Sequence, residues 1–134
     1  MKPCLAIIAA ALASAGAASA QTPSPQRLAP VEAPVSPPTA TIDLEAEIPQ
    51  MKGYVLVQAL NTVPPGMGRT LHSHVGRPEI LRVLSGVLTE VRNGGPPKQY
   101  GPGSTLINAG GIEHTWANLG TEPLVFIATQ IKPK

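Results

Sequence analysis

The sequence has almost no cysteine, and the residues it lacks restrict the chemistry open to the protein. The single cysteine is Cys4, so residues 5–134 contain neither a disulfide nor a thiolate metal ligand. Aromatic residues make up only 3% of the chain and charged residues 13%. Because no basic cluster interleaved with aromatic residues occurs, we expect no nucleic-acid binding.

Long hydrophobic runs are also missing. At the N-terminus, Lys2 precedes an apolar run over residues 5–12, and small residues follow up to Ala20. This pattern predicts a secretory signal peptide over residues 1–20 with an A-x-A cleavage site, so that the mature chain begins near Gln21. The alternative, a membrane anchor, is disfavoured because the run is shorter than the roughly 20 apolar residues of a spanning helix.

The targeting signals predict a periplasmic or secreted protein with no stable membrane anchor after signal cleavage. Cys4 lies too early in the chain to be a lipoprotein acylation site. The absence of a twin-arginine pair favours general secretion in an unfolded state. A protein exported in this way collects any metal after export.

Residues 21–50 differ in composition from the rest of the chain. The proline-rich stretch 21–40 predicts an extended, mobile linker that buries little surface. Residues 41–50 are intermediate, since Ile42, Leu44 and Ile48 could dock as an edge strand or as a turn of helix. Residues 21–50 carry one basic and four acidic residues, whereas residues 51–134 carry eight basic and four acidic. The mildly positive domain should favour anionic small molecules or its own acidic arm.

From residue 51 onward, short β-type runs alternate with glycine and proline. We predict strands over residues 53–60, 69–74, 79–91 (two strands joined by a hairpin turn at Ser85-Gly86), 104–109, 112–119 and 124–131. Residues 93–103 are dense in glycine and proline and are predicted to be a loop. Seven or eight short strands predict an all-β sandwich or barrel.

Two of the three histidines, His72 and His74, stand one residue apart. In a strand, side chains two positions apart share a face, so both imidazoles point the same way. Glu79 shares the inward parity of Leu81 and Val83. An inward carboxylate is costly unless it is paired or binds a metal, and the two histidines supply a reason for it.

The third histidine, His114, shares one strand face with Trp116 and Asn118. An H-x-H pair by itself is common on exposed strands, but the inward Glu79 and the third histidine favour a metal site. Three imidazoles and one carboxylate suit Mn, Fe, Co, Ni, Cu or Zn and leave positions open for water or substrate.

The spacing of these histidines, of Glu79 and of the neighbouring glycines resembles the cupin superfamily, specifically its small single-domain, type-2-like barrel proteins. The first family motif is a glycine, five residues, H-x-H, three or four residues, glutamate, six residues and glycine. The second is a glycine, five residues, P-x-G, two residues, histidine, three residues and asparagine. The motif positions are Gly66, His72, His74, Glu79, Gly86, Gly103, Gly111, His114 and Asn118. The one departure is Ala109 in place of the usual proline, which loosens a turn but removes no ligand.

The resemblance implies a small jelly-roll β-barrel over residues 51–134 with an extended proline-rich N-terminal arm. It implies one divalent metal held by His72, His74, Glu79 and His114, with Asn118 steadying a strand by hydrogen bonds. It also implies a homodimer formed through exchanged or abutting edge strands, for which residues 42–48 are the candidate segment.

The reaction is less constrained than the site. Trp116 is the candidate pocket wall, with core filling as the alternative, and Arg69 could clamp a substrate carboxylate or be a solvated arginine. We expect a dioxygenase-type enzyme acting on a small organic substrate, with Glu79 also shuttling a proton. The alternatives are a non-catalytic module that binds metal or a small ligand, or a cupin isomerase, lyase or decarboxylase. The metal, whether Mn, Fe, Ni, Cu or Zn, stays open.

Overall fold

A computed structural model of the protein describes Leu28 and residues 30–134. The predicted signal peptide and Cys4 lie outside the described residues. The described part contains ten strands, one short α-helix and one 3₁₀ turn. In chain order they are β1 (Val31–Glu32), β2 (Ala40–Asp43), α1 (Leu44–Glu47), the 3₁₀ turn Pro49–Met51, β3 (Tyr54–Val63), β4 (Met67–Ser73), β5 (Glu79–Ser85), β6 (Leu88–Arg92), β7 (Lys98–Tyr100), β8 (Thr105–Asn108), β9 (Glu113–Ala117) and β10 (Leu124–Pro133).

The strands form two five-stranded sheets, which confirms the predicted all-β jelly roll. The first sheet has the order β1-β4-β9-β6-β7 and the second the order β2-β3-β10-β5-β8. The core lies between them and contains Val83, Leu88, Leu124 and Phe126, all 4% exposed or less. Alternation along each strand produces this core because neighbouring side chains point to opposite faces of a sheet. Among the described residues, neither helical element has the length and apolar character that a membrane crossing requires.

The prediction of a hairpin at Ser85-Gly86 is wrong. β5 pairs with β10 and β8 in the second sheet, whereas β6 pairs with β9 and β7 in the first, so the turn carries the chain from one sheet to the other. Gly86 has a φ of 72°. A Cβ at this position would lie 2.6 Å from the Pro123 carbonyl oxygen, so the turn needs glycine both for its conformation and for its close approach to the start of β10.

Two other local predictions need refinement. Residues 93–103, predicted to be a loop, include β7, which pairs with β6 from Leu88↔Tyr100 to Glu90↔Lys98. Residues 41–50 adopt both of the alternatives considered. β2 pairs with β3, and α1 then begins at Leu44 with Asp43 as its N-cap, whose carboxylate accepts from the Glu45 amide at 3.1 Å.

The described part of the N-terminal arm, from residue 30, is extended and mostly exposed, and it contacts the domain at β1 through main-chain hydrogen bonds. β1 pairs in parallel with β4, with Val31 opposite Met67, and the Ala33 amide donates to the Gly68 carbonyl at 2.8 Å. Ala33 is 5% exposed and belongs to the core cluster. The arm has few apolar side chains to bury, so main-chain hydrogen bonds to the free edge of β4 hold it in place. Amino-acid composition does not reveal such bonds.

Candidate metal centre

Three histidines from distant parts of the chain meet between the sheets. His72 in β4 lies opposite His114 in β9, and His74 directly follows the end of β4. The Nε2 atom of His114 lies 3.0 Å from Nε2 of His72 and 3.0 Å from Nε2 of His74. One ring nitrogen from each of the three residues lies within 4.8 Å of the corresponding nitrogens of the other two.

The other ring nitrogens determine the tautomers. His72 Nδ1 lies 2.8 Å from the Thr70 carbonyl oxygen, and His74 Nδ1 lies 3.2 Å from the Arg77 carbonyl oxygen. Carbonyl oxygens only accept, so both Nδ1 atoms carry the proton. In neutral rings, both Nε2 atoms are therefore bare acceptors, and each faces Nε2 of His114.

His114 follows the same rule with a carboxylate partner. Its Nδ1 donates to Glu90 Oε1 at 2.5 Å, and both side chains are nearly fully buried. Burial opposes ionisation of Glu90, but hydrogen bonds from His114 and Arg92 outweigh it and hold the pKa of Glu90 below its ordinary value. An ionised carboxylate has no proton to donate, so Nδ1 of His114 carries a proton, and Nε2 is the nitrogen of this ring that remains for a metal.

Burial also keeps His72 and His74 neutral. Desolvation is the largest influence on His72 and His74, and the neighbouring His114 and Arg77 add to it. The pKa of His72 lies below its ordinary value, and that of His74 falls to about 4. At neutral pH these rings therefore present lone pairs, the form in which imidazole binds a metal.

This donor set fits a transition metal. His72 and His74 each direct an Nε2 lone pair at Nε2 of His114, and a cation between the three nitrogens would bind these lone pairs. Imidazole nitrogens bind such ions at about 2.1 Å, and two ligands at right angles would then lie about 3.0 Å apart, which is the separation of His114 Nε2 from each of the other two Nε2 atoms. The chain's residues therefore form a possible three-histidine metal site.

A buried hydrogen-bond network continues from Glu90, and sequence reasoning missed it. Arg92 Nη2 donates to Glu90 Oε1 at 2.9 Å and to Asn108 Oδ1 at 2.8 Å, and Asn108 Nδ2 donates to Glu79 Oε1 at 2.9 Å. Glu90 is 1% exposed and Asn108 is fully buried. The sequence did contain a signal for this network. Glu90 and Arg92 lie two and four residues after Leu88, so in a strand they share its inward face. Pairing between β8 and β5, which places Asn108 opposite Glu79, is not a local property.

Glu79 is not a member of the three-histidine group. Its side chain faces the same cavity, as its parity predicted, and Asn108 holds its Oε1. Its roles as fourth ligand and as proton shuttle stay predictions. The hydrogen bond to Asn108 orients the carboxylate in the wall beside the histidines.

A cavity of about 450 Å³ opens beside the centre. His72, His74, Glu79 and the predicted wall residue Trp116 line it, while His114 lies behind at 1% exposure. The Trp116 ring packs edge-to-face on Phe126 with centroids 5.4 Å apart, so the far wall is apolar and aromatic.

Arg69 also lines the cavity, because of a bulge in β4. Arg69 lies opposite Trp116, and His72 lies opposite His114. The two β4 residues between them, Thr70 and Leu71, therefore face the single residue Thr115. This extra residue reverses the parity of the strand and turns both Arg69 and His72 towards the cavity. Arg69 is already paired, since its Nη1 donates to Glu32 Oε2 of the arm at 2.9 Å.

The remaining motif residues occupy turns and a strand end. Asn118 is fully buried, and its Nδ2 donates to the Val63 and Glu122 carbonyls at 2.9 and 2.8 Å. Ala109, the departure from the motif, accepts from the Ile112 amide at 3.4 Å and so still closes its turn. The motif glycines have φ values of 72° to 84°, which glycine adopts readily: Gly66, Gly86, Gly103 and Gly111.

Comparison with known families agrees with this architecture. A family model of the cupin domain matches residues 59–129, which contain all three histidines. The chain belongs to the cupin family. No curated protein matches this cupin in sequence.

Solved structures resemble the cupin at the level of the fold. A cupin protein from Bacteroides fragilis is 24% identical with a TM-score of 0.50, over 75% of this chain and 83% of that one. A predicted oxalate decarboxylase from Thermotoga maritima is 22% identical with a TM-score of 0.51, over 74% of this chain and 99% of that one. The cupin domain of Schizosaccharomyces pombe Cnp3 is 14% identical with a TM-score of 0.53, over 57% of this chain, which spans about half (52%) of that one.

Proposed function

We propose that this cupin is a metal-dependent enzyme of dioxygenase type that acts on a small organic substrate after export to the periplasm or the medium. The observation that supports the proposal is the position of the three-histidine group beside a cavity of about 450 Å³, with His72 and His74 in its wall. A bound divalent metal would supply a Lewis acid and, where it is redox-active, a site for oxygen chemistry.

The chain's own residues have separable roles around such a centre. Hydrogen bonds at all three Nδ1 atoms hold the imidazoles in the ligating tautomer. Glu79, held at Oε1 by Asn108, is placed in the wall to accept a proton from a bound substrate. Trp116 and Phe126 exclude water from the apolar side of the cavity.

The test uses the full chain, exported from a bacterial host and recovered from its periplasm. We expect a mature N-terminus at Gln21 and about one bound metal per chain by mass spectrometry and elemental analysis. An exported protein meets copper and zinc, which bind most tightly by intrinsic affinity, so the native metal must be measured before iron or manganese is added. Reconstituted forms are then assayed for oxygen uptake and for products with a panel of small organic acids, phenols and amides.

The outcomes separate the alternatives. Metal-dependent oxygen uptake coupled to product formation supports the dioxygenase. Product formation without oxygen uptake indicates the isomerase, lyase or decarboxylase class. If every metal form is inert while small ligands still raise the melting temperature, the protein is a non-catalytic binding module. A chain retained unprocessed in the cytoplasm contradicts the proposed location.

We also propose a homodimer, formed through the outer face of the second sheet. Residues 42–48, predicted to be the exchanged edge, instead begin with β2 paired to β3 of the same chain. The outer face carries five large apolar side chains, each 44% to 61% exposed: Ile42, Leu60, Ile80, Leu84 and Ile107. Arg82 is the one charged side chain among the outward positions of its strands β3, β5, β8 and β10. A second copy is the occupant we commit to, because two copies of a nearly uncharged face can pair about a two-fold axis.

The double variant Ile80→Glu/Ile107→Glu should convert the dimer to a monomer. The two residues lie opposite each other on β5 and β8, so four glutamates would face one another across the two-fold axis without partners. Sedimentation equilibrium of the wild type and the variant measures this mass change. Leu119→Glu, at an apolar residue that is also exposed (59%) but lies after β9, is the matched control and should stay dimeric. A monomeric wild type would contradict the proposal.

A further inference from the structure

At the cavity, the Glu32 carboxylate accepts hydrogen bonds from Arg69 and Thr70. Glu32 Oε1 accepts from the Thr70 amide at 2.8 Å and from the Thr70 hydroxyl, and Glu32 Oε2 accepts from Arg69 Nη1 at 2.9 Å. We call these three donors, the Arg69 guanidinium with the Thr70 amide and hydroxyl, the carboxylate cradle. Both oxygens of one carboxylate are bound by it.

The β4 bulge creates the cradle. In a regular strand pair, alternate main-chain amides donate to the neighbouring strand, but the extra residue between Arg69 and His72 interrupts the pairing with β9. The Thr70 amide donates to the Glu32 side chain, and the bulge turns Arg69 towards the cavity, so that both donors reach one carboxylate. Hydrogen bonds from Thr70, through its hydroxyl and then its amide, and next from Arg69 lower the pKa of Glu32 to about 2.

The cradle is continuous with the metal centre. His72 is two residues beyond Thr70, and its Nδ1 donates to the Thr70 carbonyl at 2.8 Å. Both cradle residues line the same cavity as His72 and His74. A ligand in this cavity is therefore lined by the cradle residues as well as by His72 and His74.

The charges of the cavity favour an anion once Glu32 leaves. The charged side chains in its lining are Arg69, Arg77, Lys132, Glu32 and Glu79. Without Glu32, three cations face one carboxylate. A cleft lined by an excess of one charge concentrates ligands of the opposite sign.

We infer that the carboxylate cradle binds a carboxylate group of the substrate, and that Glu32 is an intramolecular stand-in which the substrate displaces. The inference names the substrate class of the proposed active site, small organic carboxylates, and it rests on that proposed function. Glu32 can turn away while the arm stays docked, because main-chain bonds of Val31 and Ala33 to β4 hold the arm independently. The Glu32 side chain is 48% exposed and that of Arg69 29%, so a ligand from solvent can reach the pair.

The test measures benzoate binding to the metal-free mature protein by calorimetry and by fluorescence of Trp116, the single tryptophan of the chain. Glu32→Gln should bind benzoate about five- to tenfold more tightly than the wild type. In the wild type, Glu32 occupies the cradle most of the time, and the apparent affinity for benzoate is reduced in proportion to the fraction of molecules whose cradle is free. Arg69→Gln should lose measurable binding, and Thr70→Val should weaken it several-fold. Benzamide, which has the same shape without the charge, should bind none of the proteins measurably.

Matched controls remove the same charges elsewhere. Glu113→Gln and Lys98→Gln, at exposed positions outside the cavity lining, should leave benzoate affinity unchanged. Equal benzoate affinity for the wild type and Glu32→Gln, benzamide binding as tight as benzoate, or retained binding in Arg69→Gln would each overturn the inference. Because these measurements need no metal, they separate the two proposals. Predicted affinities in a catalytically inert protein would support the cradle and reject the enzyme, whereas turnover with neutral substrates alone would do the reverse.

Discussion

Replacing His114 with alanine should remove metal binding, which is the largest functional effect we expect from a single substitution. His114 Nε2 is the atom that both other imidazoles approach, at 3.0 Å each. Two remaining ligands cannot close the donor set, so affinity for Zn²⁺ or Ni²⁺ should fall by more than the roughly 100-fold that marks the upper range for outer-shell substitutions. Titration of chelator-stripped protein and elemental analysis after dialysis measure the loss.

A folding defect must be separated from the loss of a ligand. His114 is 1% exposed, and its removal leaves a cavity beside Glu90. His72→Ala provides a second variant at a half-buried ligand whose loss disturbs the core less, and it should also fail to retain metal. Glu113→Ala, one residue away and facing outward, is the control and should bind like the wild type. A folded His114→Ala protein that keeps one metal per chain would show that the centre is not where the three histidines meet.

Replacing Glu90 with alanine should produce the largest loss of stability. Glu90 Oε1 accepts from both His114 and Arg92, and the carboxylate is 1% exposed. Its removal leaves the buried Nδ1–H of His114 without an acceptor and Arg92, whose side chain is 31% exposed, without its counter-charge. Together these losses cost about 3 kcal/mol, the upper end of the range for an unsatisfied buried donor. We therefore expect the free energy of unfolding of the metal-free protein to fall by about that amount in urea denaturation.

Glu90→Gln separates the charge from the shape of this side chain. The amide oxygen can still accept from His114 and Arg92, so the stability loss should be smaller, about 1 kcal/mol. The imidazole of His114 becomes less basic without the carboxylate, and metal affinity should fall about 10-fold or more. Glu122→Gln, at an exposed position, should change neither quantity. Wild-type metal affinity and stability in Glu90→Ala would refute the role we assign to the network.

Much of the site was predictable because its signals are local. The spacing of His72 and His74, and the inward parity of Glu79, depend only on the two-residue period of a strand. The histidine spacings and the glycines that require positive φ also read directly from the chain. The resemblance to cupins then placed His114 with the first two histidines, although 40 residues separate it from His74.

The Ser85-Gly86 turn and the arm show where local signals were insufficient. A glycine turn between two apolar runs fits a hairpin and a crossing between sheets equally well, because the choice depends on which strands become neighbours. Proline-rich composition predicted a mobile linker, yet the edge of β4 offers main-chain partners that composition does not encode. The excess of acid in residues 21–50 over a basic domain was nevertheless informative, since Glu32 pairs with Arg69 and Asp43 with Lys134.

By itself, the sequence determined an all-β cupin with a cluster of histidines, because strand period, turn glycines and motif spacing are properties of neighbouring residues. Only the tertiary structure decided which groups support those histidines and what lies at the cavity mouth. Glu90, Arg92 and Asn108 meet through pairings between strands, and the bulge at Thr70 turns Arg69 towards the cavity against simple alternation. Such contacts join residues far apart in the chain, and their geometry exists only once both sheets have formed.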